Sequence, residues 1–336
     1  MKYALHFLLT LSAGKIFNLV LVNLSYYLSL LLKRPIVWGK PYSVSLEPVC
    51  LCCLECPECP TGLGKVKRVQ QEMDMQLFAN ILDCTGSTTI YLMLYFQGEP
   101  LMNREIFSMI KLARKLNMYT AISTNGQLLN ESNAGKIIES GLDRLIVSVD
   151  GTSQDTYEKY RIGGDLKTVL NGTEKLLRLR SEQHSARPEV IFQFLVFRHN
   201  QHQLSEMKQL ARSMAIDRLW IKSAQIYSEE GVGKIPENNS LSRYEVGLDG
   251  KLIRKGNLRN RCSRLWRTMV ITTDGGLVPC CFDKIPDFEM GRTEGTDVME
   301  IWKGEEMNSF RRRVLTNRKG IEMCRNCIQG LNWKND

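Results

Sequence analysis

Histidine is scarce in this chain, with four in 336 residues. None stands near the densest group of thiols, so the Cys/His mix of many zinc sites is missing there. There is no internal repeat and no low-complexity tract, which excludes a solenoid or a compositionally disordered chain. Residues 1–13 show a weakly charged start and no clear small-x-small cleavage site, so no secretory signal is expected there. Without one, eleven cysteines read as metal or redox ligands in a reducing compartment, and a cytoplasmic location is expected. No nucleic-acid module accompanies the formal charge of +9, and no nucleic-acid partner is expected. The run Arg311-Arg312-Arg313 reads as a solvated basic helix face. A 43% apolar and 24% charged composition is that of a globular protein, and the length suits more than one domain.

What the chain does have is a cysteine pattern. Five cysteines lie between Cys50 and Cys59, and five more are Cys262, Cys280, Cys281, Cys324 and Cys327. Cys52, Cys56 and Cys59 are spaced Cys-x3-Cys-x2-Cys. Iron–sulfur clusters are normally held by four cysteines. Three thiolates in one loop can bind three irons of a 4Fe–4S cubane and leave the fourth iron open for chemistry. A zinc loop or a chance cluster is the competing reading. Cys50 and Cys53 are spare thiols; the spacing favours Cys52.

Residues 16–32 carry no charge and are flanked by Lys15 and by Lys33-Arg34. As a helix they reach about 26 Å, the lower limit for a membrane span. Asn18, Ser25 and Ser29 fall on one helical face. This predicts an amphipathic helix docked on the protein or lying on a membrane, with peripheral membrane contact, rather than a span. Pro35 and Pro41 mark a boundary. Beyond it, apolar runs at 43–47, 90–96, 119–123, 144–149, 190–197 and 218–221 predict strands. Helical patterns at 72–84, 104–116, 131–140, 165–180 and 203–214 alternate with them. Six strands alternating with helices predict a parallel α/β arrangement. The cysteine loop follows the first strand, where a parallel barrel places its chemistry. The Gly/Asn-rich stretch 229–256 reads as a linker before a second, smaller unit.

With these elements in place, the chain from about residue 41 resembles the radical S-adenosylmethionine (radical SAM) enzymes. Glu47-Pro48, Cys52, Cys56-Pro57 and Cys59-Pro60 match the family's first strand and cluster loop, with Cys53 where an Asn is common. Gln97-Gly98-Glu99-Pro100 resembles the Gly-Gly-Glu-Pro segment, with Gln97 in place of the first glycine. The resemblance implies that Gly98, Glu99 and Pro100 present backbone groups to the cofactor's α-ammonium. It implies that Ser123 and Asn125, then Ser148 and Asp150, surround the ribose and carboxylate. Arg161 matches an arginine that would pair with the cofactor carboxylate, an ordinary ion pair being the alternative. Gln193 and Leu195 would line the adenine side, or could be barrel core.

The C-terminal stretch resembles a SPASM or twitch-type domain: RCSRLW, ITTDGGLVPCC, EIWKGEE, SFRRR and CRNC occur in that order. Asp274-Gly275 is a hairpin-turn signal that would bring Cys280 beside Cys262. By this resemblance Cys262, Cys280, Cys324 and Cys327 hold a second 4Fe–4S cluster, with a four-cysteine zinc site as the rival. Cys281 is the nearest alternative ligand. The chain ends nine residues after Cys327, so a single-cluster, twitch-like arrangement is expected. In sulfatase-maturing members an aspartate acts as base after the cysteine matching Cys280. Here Cys281 stands there, which argues against that activity.

The expected architecture is therefore an apolar N-terminal helix (1–40), a partial (βα)6 barrel (41–250) and an auxiliary-cluster domain (255–336). The implied cofactors are two 4Fe–4S clusters and S-adenosyl-L-methionine, with an external flavodoxin- or ferredoxin-type electron donor. The implied activity is formation of a 5′-deoxyadenosyl radical that abstracts hydrogen from a C–H bond, oxidising or cross-linking a peptide or small molecule. A redox-neutral small-molecule rearrangement and a non-catalytic iron–sulfur carrier are the alternatives; the carrier has no use for the cofactor-pocket residues. The first 40 residues are too short for the winged-helix domain common in peptide maturases, so a peptide leader would need another protein. The sequence leaves the substrate, the catalytic acid or base and the oligomeric state open.

Overall fold

The computed structural model describes residues 6–227 and 229–327. A long helix, α1 (Ala13–Leu32), precedes six parallel strands in chain order: β1 (Ser43–Leu46), β2 (Tyr91–Met93), β3 (Tyr119–Thr124), β4 (Arg144–Ser148), β5 (Glu189–Val196) and β6 (Arg218–Ser223). Between them run α2 (Met75–Thr85), α3 (Ile106–Lys115), α4 (Glu131–Ser140), α5 (Gln154–Glu158), α6 (Leu166–Glu182) and α7 (Leu204–Ser213). Three of these helices start where a polar side chain covers a free backbone N–H. Asp74 accepts from Leu77 N, Asn130 from Asn133 N and Asp165 from Thr168 N.

The strands alternate cleanly. On one face Leu92, Ile122, Val147, Phe192 and Phe194 are fully buried. On the other, Ser123, Ser148, Gln193 and Leu195 share a side, because Ser148 pairs with Gln193 and Leu195 with Lys222. The deeper part of that face is filled by stacked Tyr91 and Tyr119 and by the Arg144–Glu189 ion pair at 2.7 Å. Its upper part, at the carboxyl ends of the strands, is only partly covered. The face whose residues the family resemblance assigns to the cofactor is thus the more open one.

The C-terminal unit is less separate than its sequence suggests. It begins with a short helix, α8 (Arg264–Arg267). The strand β9 (Thr268–Ile271) then pairs in parallel with β1, and β10 (Gly276–Val278) and β11 (Gly291–Arg292) follow antiparallel. One nine-stranded sheet results, and β1 is spared an exposed edge. The turn at Asp274-Gly275 is where the sequence places it, with Gly275 at φ 78°. Helices α9 (Val298–Lys303), α10 (Glu305–Asn317) and α11 (Glu322–Arg325) complete the unit.

Two expectations change. The stretch 229–256 is not a bare linker: β7 (Tyr244–Val246) and β8 (Leu252–Arg254) form an antiparallel ribbon, and the Tyr244 hydroxyl donates to Asn326 beside Cys327. Arg311 is not solvated but fully buried. It donates to the carbonyls of Leu265 and Trp302 and lies over the Trp302 ring, satisfying the ends of two short helices. Arg312 and Arg313 are exposed as expected.

Candidate active site

Each cysteine of the first triad is met from a different part of the rim. Asn125, at the end of β3, donates to the Cys52 thiol at 3.5 Å and to Cys53 at 3.4 Å. Arg161 reaches Cys56 at 3.8 Å. Gln97 Oε1 accepts from Thr61 at 3.1 Å and lies 3.9 Å from the Cys59 sulfur. Gln97, the departure from the glycine pattern, therefore holds the loop by its side chain. Cys50 faces Glu47, Arg68 and Thr273 instead. Cys53 is exposed.

The loop is fixed by buried polar contacts. Gly98 has φ 71°, and a Cβ there would come within 2.2 Å of the Val49 carbonyl. Only glycine permits that approach, and Glu99 N then donates to Leu51 O at 2.7 Å. The Glu99 carboxylate accepts from Thr124 Oγ1 at 2.6 Å, Asn125 N at 2.7 Å and Leu101 N at 3.2 Å. Burial pushes that carboxyl up to about 7. Gly98 and Glu99 thus pin the cluster loop to β3, and Pro100 opens a short turn beneath it. Glu58, buried within the triad, pairs with Lys234 and accepts from Tyr227 N at 2.7 Å.

Asp150 is fully buried. Its Oδ2 faces Arg161 Nε at 2.7 Å and its Oδ1 accepts from Leu195 N at 2.6 Å. The two carboxylate oxygens are thereby engaged within the protein, joining the ends of β4 and β5 to the cysteine loop. Ser123, Gln193 and Leu195 are half-buried on the open part of that sheet face, and Ser148 is buried on the same face.

The second cysteine set converges. Cys262, Cys280, Cys324 and Cys327 line one small cavity with Leu265, Phe310 and Met323. Cys281 is outside it, its sulfur 2.7 Å from Arg264. All eleven cysteines are free thiols. Four thiols around one cavity are a donor set that a cubane uses. Burial raises the Cys324 thiol to about 11, and Arg318 opposes that rise. Arg318 also donates to Cys327 at 3.4 Å, a cation suited to an anionic cluster. In the first site Arg161 plays the same part beside Cys56, so both donor sets fit the groups expected of them.

Between the two cysteine groups lies a cavity of about 590 Å³. Pro60, next to Cys59, lines one side, and Met323 and Asn326, next to Cys324 and Cys327, line another. Tyr227, Phe282 and Lys284 complete its wall. Lys284 lies over the Tyr227 ring at 4.8 Å, and burial lowers its ammonium pKa. Tyr227, Phe282 and Lys284 were not marked by sequence pattern; they sit on loops, and only the fold brings them to this cavity.

A parallel α/β partial barrel with a three-cysteine loop on its carboxyl rim and a four-thiol unit docked beside it defines a class of iron–sulfur enzyme. The model of the radical SAM superfamily matches residues 46–211 and that of the SPASM iron–sulfur cluster-binding domain matches residues 262–328. This protein belongs to the radical SAM superfamily and carries a SPASM domain; it is an enzyme that uses 4Fe–4S clusters and S-adenosylmethionine. It is similar to the tungsten-containing aldehyde ferredoxin oxidoreductase cofactor-modifying protein of Pyrococcus furiosus, 24% identical over 76% of this chain and 79% of that one. It is 25% identical to the PqqA peptide cyclase of Gluconobacter oxydans over 81% of this chain and 79% of that one. SuiB of Streptococcus suis, solved with its precursor peptide SuiA, shares the fold at TM-score 0.60 and 14% identity, over 82% of this chain and 67% of that one. So does anSMEcpe with bound AdoMet, at TM-score 0.59 and 16% identity, over 85% and 88%.

Proposed function

We propose that this enzyme oxidises an unactivated C–H bond of a peptide or small molecule held in the cavity between its two cysteine groups. Cys52, Cys56 and Cys59 would hold the first cluster, and Cys262, Cys280, Cys324 and Cys327 the second. With S-adenosylmethionine bound, the first cluster supplies a 5′-deoxyadenosyl radical on reduction by a flavodoxin- or ferredoxin-type donor. Gly98 and Asn125 would hold the cluster loop in register. Ser123, Ser148, Gln193, Leu195 and Arg161 would orient the cofactor, while Glu99, Pro100 and Asp150 brace them. Phe282 and Met323 exclude water from the cavity, and Lys284 offers a cation to a substrate carboxylate.

The observation that carries the oxidative reading is the convergence of four thiols, with Cys281 excluded. Four protein ligands leave substrate no position on the second cluster, and a fully ligated cluster is suited to taking up an electron. The resemblance to a peptide cyclase supports a peptide substrate; the resemblance to a cofactor-modifying protein supports a small molecule. We read residues 41–250 as the radical-generating core and 255–336 as the auxiliary unit, in the cytoplasm. A Cys324→Ala, Cys327→Ala variant should still cleave S-adenosylmethionine but release no product. Normal turnover in that variant would make a redox-neutral rearrangement the better reading.

A further inference from the structure

Helix α1 is built inside out. Its polar side faces the protein: Lys15 donates to Asn117 O at 2.6 Å, Asn18 exchanges two hydrogen bonds with the Lys40 backbone at 2.8 Å, and Ser29 accepts from Ile36 N at 2.9 Å. Tyr26 packs edge-on against Trp266 at 5.3 Å. Its apolar side faces out. Ile16, Val20, Leu24, Tyr27 and Leu31, spaced by four, four, three and four, form one stripe along the helix, and their exposures run from 46% to 76%. Phe17 beside them is 64% exposed. A helix on a water-facing surface shows the opposite arrangement, and a continuous exposed apolar stripe marks a contact site.

The charge around the stripe selects the partner. Residues 1–46 contain Lys2, Lys15, Lys33, Arg34 and Lys40 and no acidic residue. Lys33 and Arg34 are exposed at the end of α1, and Trp38 beyond them is 52% exposed. Apolar side chains with basic and aromatic neighbours at one edge are the composition of a bilayer interface. A span is excluded as long as Lys15, Asn18 and Ser29 keep their bonds to the body of the protein. We propose that α1 lies flat in the surface of an anionic phospholipid bilayer, holding the enzyme on the membrane by its outer face.

The test is flotation of the anaerobically reconstituted full chain with vesicles of phosphatidylcholine alone or with about 30% phosphatidylglycerol, the acidic lipid supplying a surface potential. The wild type should float with the acidic vesicles and bind them at least tenfold more tightly than neutral ones. Phe17→Ser, Leu24→Ser, Leu31→Ser together should abolish flotation without altering the circular dichroism, since all three side chains are exposed. Lys33→Gln, Arg34→Gln should weaken binding about fivefold per residue. Quenching of Trp38 by brominated lipid, absent in Trp38→Phe, checks contact without altering the stripe. Failure to float with acidic vesicles, or equal binding to neutral ones, overturns the proposal. A dimer in sedimentation that the triple serine variant dissolves, without flotation, also overturns it and assigns the stripe to a second copy.

Discussion

The Arg161 guanidinium joins two sites: its Nε lies 2.7 Å from Asp150 Oδ2 while another nitrogen reaches the Cys56 sulfur. The pair links the end of β4 to the cysteine loop in a buried setting. Removing one member of such a pair leaves an uncompensated charge. Arg161→Ala should therefore cost about 3–5 kcal/mol in urea unfolding. If Arg161 also orients the cofactor, Arg161→Lys should keep its iron while its affinity for S-adenosylmethionine falls at least tenfold. Unchanged affinity would limit Arg161 to the ion pair.

The second cluster's ligand set makes a count. Reconstituted wild type should hold about eight irons, two cubanes. Cys281→Ser should hold the same number, because Cys281 lies outside the four-thiol cavity. Loss of about four irons in that variant, or zinc in the C-terminal unit, would contradict the assignment.

Glu47 and Arg68 bind the core to the C-terminal hairpin. They lie 2.9 Å apart and are almost fully buried, and Glu47 also accepts from Thr273 N at 3.1 Å. Glu47→Ala or Arg68→Ala should each destabilise by about 3–5 kcal/mol. The double variant Glu47→Leu, Arg68→Met should lose less than either single change, since no lone charge remains buried. Additive losses would show that the pair is not coupled.

Burial lowers the His199 imidazole to about 4 from its ordinary 6.5. Its Nε2 is buried without a partner, and the ring stacks on Phe197. The unfolded chain takes up this proton first. The stability from the neutral ring is therefore complete above about pH 6.5 and lost as pH falls toward 4. After allowance for partial exposure this amounts to about 1–2 kcal/mol. Urea midpoints at pH 7 and 4.5 should differ less in His199→Phe than in wild type; equal differences would refute the assignment.

Much of the core was readable because its signals are local. Short apolar runs mark the six parallel strands, and the helical patterns between them mark five of the helices. The strand expected at 90–96 pairs only over Tyr91–Met93, because the chain leaves the sheet to bring Gly98 against Val49. The pairing of β9 with β1 joins residues more than 200 positions apart, and no local pattern encodes it. The wall from Phe282 to Lys284 is a loop with no period to read. The polar residues of α1 were visible on one face, but that they turn inward depends on acceptors such as Asn117 O and Lys40 O. Arg311 looked like surface for the same reason: its partners are backbone carbonyls, invisible in a sequence.

The claim on which the rest depends is that Cys52, Cys56 and Cys59 hold the radical-generating cluster. Cys52→Ala, Cys56→Ala, Cys59→Ala in one chain, reconstituted without oxygen and reduced with dithionite, tests it directly. Iron should fall from about eight to about four per chain, with the second cluster intact, and no 5′-deoxyadenosine should form from S-adenosylmethionine. Unchanged iron content with continued 5′-deoxyadenosine formation would contradict it.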